Sequence, residues 1–424
     1  MNSNTKTGKE LAADNSPAQE LAADGSPAGV EVEAEYVPSE PFDPESISID
    51  PKVVPMDTLL RRLRQGSIRL APTFQRNYVW DETRSSQLIE SLMLKIPLPM
   101  FYVAANEDGN WDVVDGLQRL TTIRNFLLGE EKDNKGERLL KEAIPFALTK
   151  LEFLGERFNN KKFSRIESDK MNARIVNNIM ETEMRFTVIN PGTPEEVKRN
   201  IFKRINTGGM PLTAQEIRHA LYQGHSTDLL QILVESKLFR KAVDFSVDDS
   251  RMAGRELILR FLSFMIRERG EYAGDTDKFL SDTMRIINCL PDINQSKISK
   301  IFKKNKVPII KCNSLEDITD KFNTAMKRSF QFFGEYAFRK AVPGMRRTPI
   351  NKALFELWSN IFVEMSQDDF DILLTRKSSF NENYKKLFMD YYFERAISRD
   401  ASSIQGPRDR YLKLNNLIQK TLEQ

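Results

Sequence analysis

Cysteine is nearly absent: Cys289 and Cys312 are the only two in 424 residues. So few thiols exclude a disulfide framework and a structural zinc site. Long apolar runs are also missing, since no segment approaches the ~18 uninterrupted apolar residues that a membrane helix needs. The first residues lack a basic stretch followed by an apolar one, which argues against secretion and leaves a cytoplasmic location as the expectation. What is present, 40% hydrophobic and 29% charged residues, fits a soluble globular protein. A chain this long exceeds one ordinary core, so two globular units plus tails are expected.

Positive charge is scarce at the start and abundant afterwards. Residues 1–50 carry two lysines against eleven acids, a net −9, which leaves +12 for the rest of a chain whose total is +3. A basic body suits a polyanionic partner, and a solvated basic surface without one is the alternative. The acidic leader holds a tandem repeat, Glu10-Leu11-Ala12-Ala13-Asp14 returning as Glu20-Leu21-Ala22-Ala23-Asp24. Units so short and polar bury no core, so residues 1–45 are expected to be disordered. They serve either as an inert linker or as an intramolecular mimic of nucleic acid. Thr7-Gly8-Lys9 is no P-loop, because the leading glycine and the preceding strand are absent.

Structure is expected from near Val53. Leu59, Leu60 and Leu63 recur at helical spacing and Gly66 ends that helix; a short strand follows at 68–70. A helix over 82–95 buries Leu88, Ile89, Leu92 and Met93 before Pro97 and Pro99. Strands at 100–104 and 111–114 flank an Asp108-Gly109 turn and read as a hairpin. Residues 129–138 read as an exposed loop, and 146–153 and 184–189 as strands around a polar helix centred on Arg174. Thr193 to Glu196 and Thr213 to Glu216 both read as capping boxes. Beyond them the pattern is helical, most clearly at 255–266, 315–333 and 351–362. The expected class is α+β: an acidic leader (1–45), a small α/β domain (46–192) and a larger mainly α-helical domain (193–424).

The chemistry concentrates in Trp111-Asp112-Val113-Val114-Asp115-Gly116-Leu117-Gln118-Arg119. An apolar strand stops at an acid and a glycine, then opens directly into an amphipathic helix. The first N–H groups of such a helix lack intrahelical partners and sit at its positive end, where a phosphate binds. Gly116 allows close approach, Arg119 offers a planar fork of donors, and Asp115 suits a divalent cation or a water. The plain alternative is a capped helix with Arg119 paired to a surface acid. Trp80 and Trp111 suit either base stacking or the core. The basic clusters at 303–306 and at Arg346-Arg347 suit either a DNA backbone or solvent.

Three segments in this order, Pro72-Thr73-Phe74-Gln75-Arg76 with Trp80, Val114 to Thr122, and Phe202 to Thr207 with Leu212, resemble one family. It is the N-terminal domain family of GmrSD-type restriction enzymes, related in fold to ParB and sulfiredoxin. The resemblance implies a ParB-like α/β domain whose Asp-Gly-Gln-Gln-Arg motif supports nucleotide binding and hydrolysis in systems that restrict foreign DNA. Carried over, Asp115 is the catalytic and metal-holding candidate, and Gly116, Gln118 and Arg119 bind nucleotide. Gln75 and Arg76 match the family's early Gln-Arg, and Asn206 its helix-end Asn. Leu117 stands where the family commonly has its first Gln, and its stripe with Leu120 points it inward.

Full-length relatives of this kind continue into a His-Asn-His nuclease domain. Here the two histidines are His219, inside a predicted helix, and His225, just after Gly224, with no hairpin scaffold around either. The expected function is therefore an NTP-binding and hydrolysing switch of a restriction or antiviral defence system, using Mg²⁺ and acting on DNA with a separate nuclease or effector. Homo-oligomerisation is a further expectation. The other reading is a non-catalytic DNA- or protein-binding module that keeps a relic nucleotide pocket.

Overall fold

The computed structural model describes residues 29–31, 48–70, 80–205, 212–293, 295–302 and 308–424. Of the residues before the first strand, only Gly29–Glu31 and Ser48 fall within this set. A five-stranded sheet is built from β1 (Ile49–Pro55), β2 (Ile68–Arg69), β3 (Phe101–Ala105), β4 (Trp111–Asp115) and β5 (Glu183–Ile189). The order across it is β1-β5-β3-β4-β2. The β3–β4 hairpin and the β1–β5 pair are antiparallel, while β3–β5 and β2–β4 are parallel.

One face of the sheet is covered by three helices. These are α1 (Met56–Arg64), α2 (Glu82–Met93) and α3 (Leu117–Leu127). Leu59, Leu60 and Leu63 of α1, Ile89 and Leu92 of α2 and Leu120 and Ile123 of α3 meet Phe101, Val103, Trp111, Val113 and Phe186 of the strands in one apolar cluster. On the other face Ala104, Val114 and Ile189 pack on Phe202, Ile217, Ala220 and Met252, which belong to the helical part of the chain. The α+β class thus holds: the sheet lies within residues 49–189, and the described residues beyond it are largely helical.

The helical body has a separate, larger core. The helices Ala253–Ile266, Leu315–Phe333 and Lys352–Glu364 lie at its centre, with Leu257, Phe261, Phe322, Phe332 and Trp358 fully buried. Stacked and edge-on aromatic rings dominate this core, for example Phe333 against Trp358 at 4.7 Å between centroids. The longest helix runs from Leu315 to Phe333, with Ser314 accepting from the Asp317 N–H at its start and Gly334 ending it.

Three local expectations are corrected. Residues 146–153 form no strand, because several of their backbone donors are taken by side chains. Thr149 N–H donates to Ser86 Oγ at 2.9 Å, and Glu152 and Phe153 N–H donate to the buried Glu90 carboxylate at 3.0 and 2.8 Å. β1 begins at Ile49 rather than near Val53; its Pro51 and Pro55 obscured it, and an edge strand tolerates both. Thr193 does not open the next helix. Lys198 N–H bonds to the Pro194 carbonyl, and the Thr193 hydroxyl instead binds both backbone groups of Ser48. The second capping box forms as expected, with Thr213 and Glu216 each bonding the other's backbone N–H.

Candidate functional site

β4 ends at Asp115, and Gly116, the N-cap of α3, makes no side-chain cap hydrogen bond. The first turn of α3, Leu117 to Arg119, thus starts from an N-cap that offers no side-chain acceptor of its own. Gly116 has φ +96°, a left-handed conformation that favours glycine, and a Cβ there would be driven into the Phe101 ring and lie 3.2 Å from the Arg119 guanidinium. Pairing between β3 and β4 is irregular at this point. Tyr102 faces Asp115 while Val103 faces Val113, so Val114 is an extra residue in the ladder. Such a bulge re-aims the following side chain, and here that is Asp115.

Arg119 is committed within the protein. Its Nη2 donates to Asp115 Oδ2 at 3.0 Å and to the Met100 carbonyl at 3.2 Å, and its Nη1 donates to the Pro99 carbonyl. The guanidinium also stacks 4.5 Å from the Phe101 ring centroid. Burial lowers its pKa, partly offset by the Asp115 carboxylate. Only 12% of the Arg119 side chain is exposed, whereas Asp115 keeps 38%, so the acid faces solvent and the base does not.

Asp115, Gly116, Gln118 and Arg119 line one cavity of about 200 Å³, together with Trp80, Val114, Leu117 and Leu212. Gln75, Arg76 and Asn206 lie outside the described residues. Their nearest described neighbours downstream, Trp80 and Leu212, both border this cavity. Leu117, as expected from its stripe, is buried with Leu120 in the core and is 8% exposed. Trp111 is core: it is 4% exposed, with the Arg62 guanidinium 3.8 Å over its ring. Phe101, which carries both Gly116 and Arg119, was not singled out from sequence. Nothing in the spacing of a single strand residue marks it.

His219 lies inside the helix Ala214–Leu221, is 1% exposed, and has its pKa lowered to about 3, first by burial and then by Arg255. His225 opens the helix His225–Glu235, for which Gly224 is the N-cap. The two lie on different helices. Of the basic clusters, 303–306 is outside the described residues. Arg347 is bonded to Asp244 at 2.6 Å and to Glu335 at 3.2 Å. No group of three or more His, Cys, Asp or Glu suited to a metal ion occurs among the described residues.

A small mixed sheet in which a strand ends at a glycine turn and opens directly into a helix places this part of the chain in the mixed α/β class. Comparison adds a likeness. Residues 57–223 match the sequence model of the family described as GmrSD restriction endonuclease, N-terminal domain, so this part of the chain is similar to that domain. The match spans β2 to β5, the Asp115 turn and the helices Glu195–Ile205 and Ala214–Leu221. Comparison with curated proteins gives no match, and neither does comparison with solved structures. No helix among the described residues is long and apolar enough to cross a membrane.

Proposed function

We propose that this protein is an NTP-binding and NTP-hydrolysing switch of a DNA restriction and antiviral defence system, working on DNA with a separate nuclease or effector. The observation that supports the reading best is the glycine-capped N-terminus of α3 opening into a cavity that Asp115 and Gln118 line. At about 200 Å³ the described cavity is smaller than the roughly 300–1,000 Å³ of a drug-sized site. It suits the phosphates of a nucleotide rather than the whole molecule. The Gln75-Arg76 and Asn206 segments, matched to the family and adjoining Trp80 and Leu212, are the proposed source of the remaining contacts.

Within this reading the N–H groups of Leu117 and Gln118 would hold phosphate oxygens, and Gly116 would let them approach. Asp115 would position the attacking water or one Mg²⁺. Magnesium is commonly held by one or two carboxylates plus substrate phosphates, which fits a lone half-exposed acid. Arg119 would act as a positioning residue: it fixes the Asp115 carboxylate and the turn, because its donors are already engaged. Catalysis would then rest on placement and on the fixed dipoles of the helix end. We further take 46–192 and 193–424 as separate domains. A homo-oligomer and a cytoplasmic location belong to the same proposal.

One observation favours the second reading, a binding module without turnover: Leu117 fills the family's Gln position and is buried in the core. Phosphate release from each NTP, with and without DNA, separates the two. Turnover in the wild type that is lost in Asp115→Ala supports the switch, and nucleotide binding without turnover supports the module.

A further inference from the structure

Part of the acidic leader is seated on the helical body. Gly29 N–H donates to the Ser246 carbonyl at 2.9 Å, Glu31 N–H donates to the Ile350 carbonyl at 2.8 Å, and Ile350 N–H donates to the Gly29 carbonyl at 3.0 Å. Val30 therefore forms a parallel β-bridge with Ile350 and packs against the large helical core. The Glu31 carboxylate is clamped by Lys340 Nζ at 3.0 Å and by the Asn351 amide. Gly29 has φ +85°, a conformation that favours glycine, so Gly, an aliphatic residue and Glu each answer a separate requirement.

The acceptor is oriented by the body and not by its occupant. Asn351 is fully buried, accepts from the Leu354 N–H at 2.8 Å and donates to the Ile397 carbonyl at 2.8 Å. Lys340 Nζ also donates to Ser398 Oγ at 2.7 Å. Ser246 is held through its hydroxyl by Arg339 at 3.0 Å. Each recognition group thus has a partner on its far side that stays in place when the segment leaves. Backbone pairing for affinity and side-chain pockets for selectivity are the ingredients of strand-addition recognition.

We propose that the helical body carries an acceptor site for a short extended peptide of the form Gly–aliphatic–Glu, and that Gly29-Val30-Glu31 is its resident but exchangeable occupant. Three residues give a small contact, and because the segment belongs to the same chain as its acceptor its binding is intramolecular, a competitor that a free peptide has to overcome. A partner presenting the same chemistry would compete with it.

The test uses the full chain and a fluorescein-labelled peptide of residues 26–33, followed by polarisation. Two release variants free the site by different means: Glu31→Lys removes the clamp, and Gly29→Val forbids the left-handed backbone. Each should bind the peptide at least ~10-fold more tightly than the wild type does, because the tethered competitor is lost. Adding Lys340→Glu to either should weaken binding by a further ~10-fold or more, and a peptide with Glu31→Lys should not bind. Equal binding to wild type and release variants, or no binding to folded release variants at millimolar peptide, overturns the proposal. Failure of both release variants to fold also overturns it, since the segment would then be a fixed part of the core.

Discussion

Arg119, largely enclosed, and Arg410, fully buried, both pair with a carboxylate, but their acids are treated differently. Glu356 is 3% exposed and is held by Arg410, with Arg260 at 3.8 Å; Arg410 also donates to the Ala396 and Ala401 carbonyls. Glu256 is similarly enclosed between Lys352 at 2.6 Å and Arg218 at 3.5 Å. Asp115 keeps 38% of its side chain in solvent, beside the N-terminal end of α3. The Glu356–Arg410 pair thus joins helices with both partners buried. At the turn only the base is enclosed and the acid borders a cavity, the same split in exposure that Arg347 with Asp244 and Arg218 with Asp277 show in the helical body. What sets Asp115 apart is therefore its place, at the mouth of a cavity beside the first turn of a helix whose N-cap is a glycine.

The largest expected effect comes from breaking the enclosed pair. Glu356→Ala leaves Arg410 charged in the core and should cost about 3–5 kcal/mol in urea unfolding. Asp115→Ala should cost under about 1 kcal/mol, because its acid is partly exposed and Arg119 keeps its two carbonyl acceptors. If the two variants lose equal stability, the contrast between the two pairs disappears.

Acid should next expose the helical body. The Glu256 pKa is lowered to about 2 against burial by Lys352 and Arg218, from an ordinary value of 4.5. A depressed carboxylate stabilises the fold above its unfolded value, and that contribution is lost as pH falls from 4.5 through 2, about 3 kcal/mol in all. His219 is also depressed, from 6.5 to about 3. The unfolded chain takes up its proton first, so stability falls as pH drops from 6.5 towards 3. Chemical unfolding from pH 7 to 4 should show that slope, and His219→Leu should flatten it above pH 5.

A smaller effect is expected at the turn. Gly116→Ala forces a left-handed alanine into the Phe101 ring and should destabilise the chain by about 1–3 kcal/mol. Arg119→Ala should cost about 1–3 kcal/mol through its lost hydrogen bonds, and should lower turnover by freeing Asp115. Arg119→Lys restores charge without the fork, so it should recover stability only in part. Full recovery of turnover by Arg119→Lys would show that charge alone matters there.

Local signals carried the sequence reading where partners lay close in the chain. The helix at 315–333 was legible to the residue because Ser314, Asp317 and Gly334 mark its ends. The Asp115–Gly116 turn was legible because strand, acid, glycine and helix follow one another directly. What failed depends on distant partners. The Glu90 carboxylate that takes the donors of 152–154 is more than sixty residues away, and the carbonyls that occupy Arg119 lie on the neighbouring strand entry. The seat of Gly29–Glu31, expected within a disordered leader, is formed by Ser246, Lys340, Ile350 and Asn351, far beyond any local pattern.

The central claim is that the open acid and the glycine-capped helix end form a phosphate site. Calorimetric titration of the full chain with each NTP and Mg²⁺, wild type beside Gly116→Ala and Asp115→Ala, tests it most directly. The account predicts one saturable site in the wild type, a loss of about one to two decades of affinity in Gly116→Ala, and near-normal binding without turnover in Asp115→Ala. No binding of any NTP to folded wild type at high micromolar concentration would contradict it, as would affinity unchanged by Gly116→Ala.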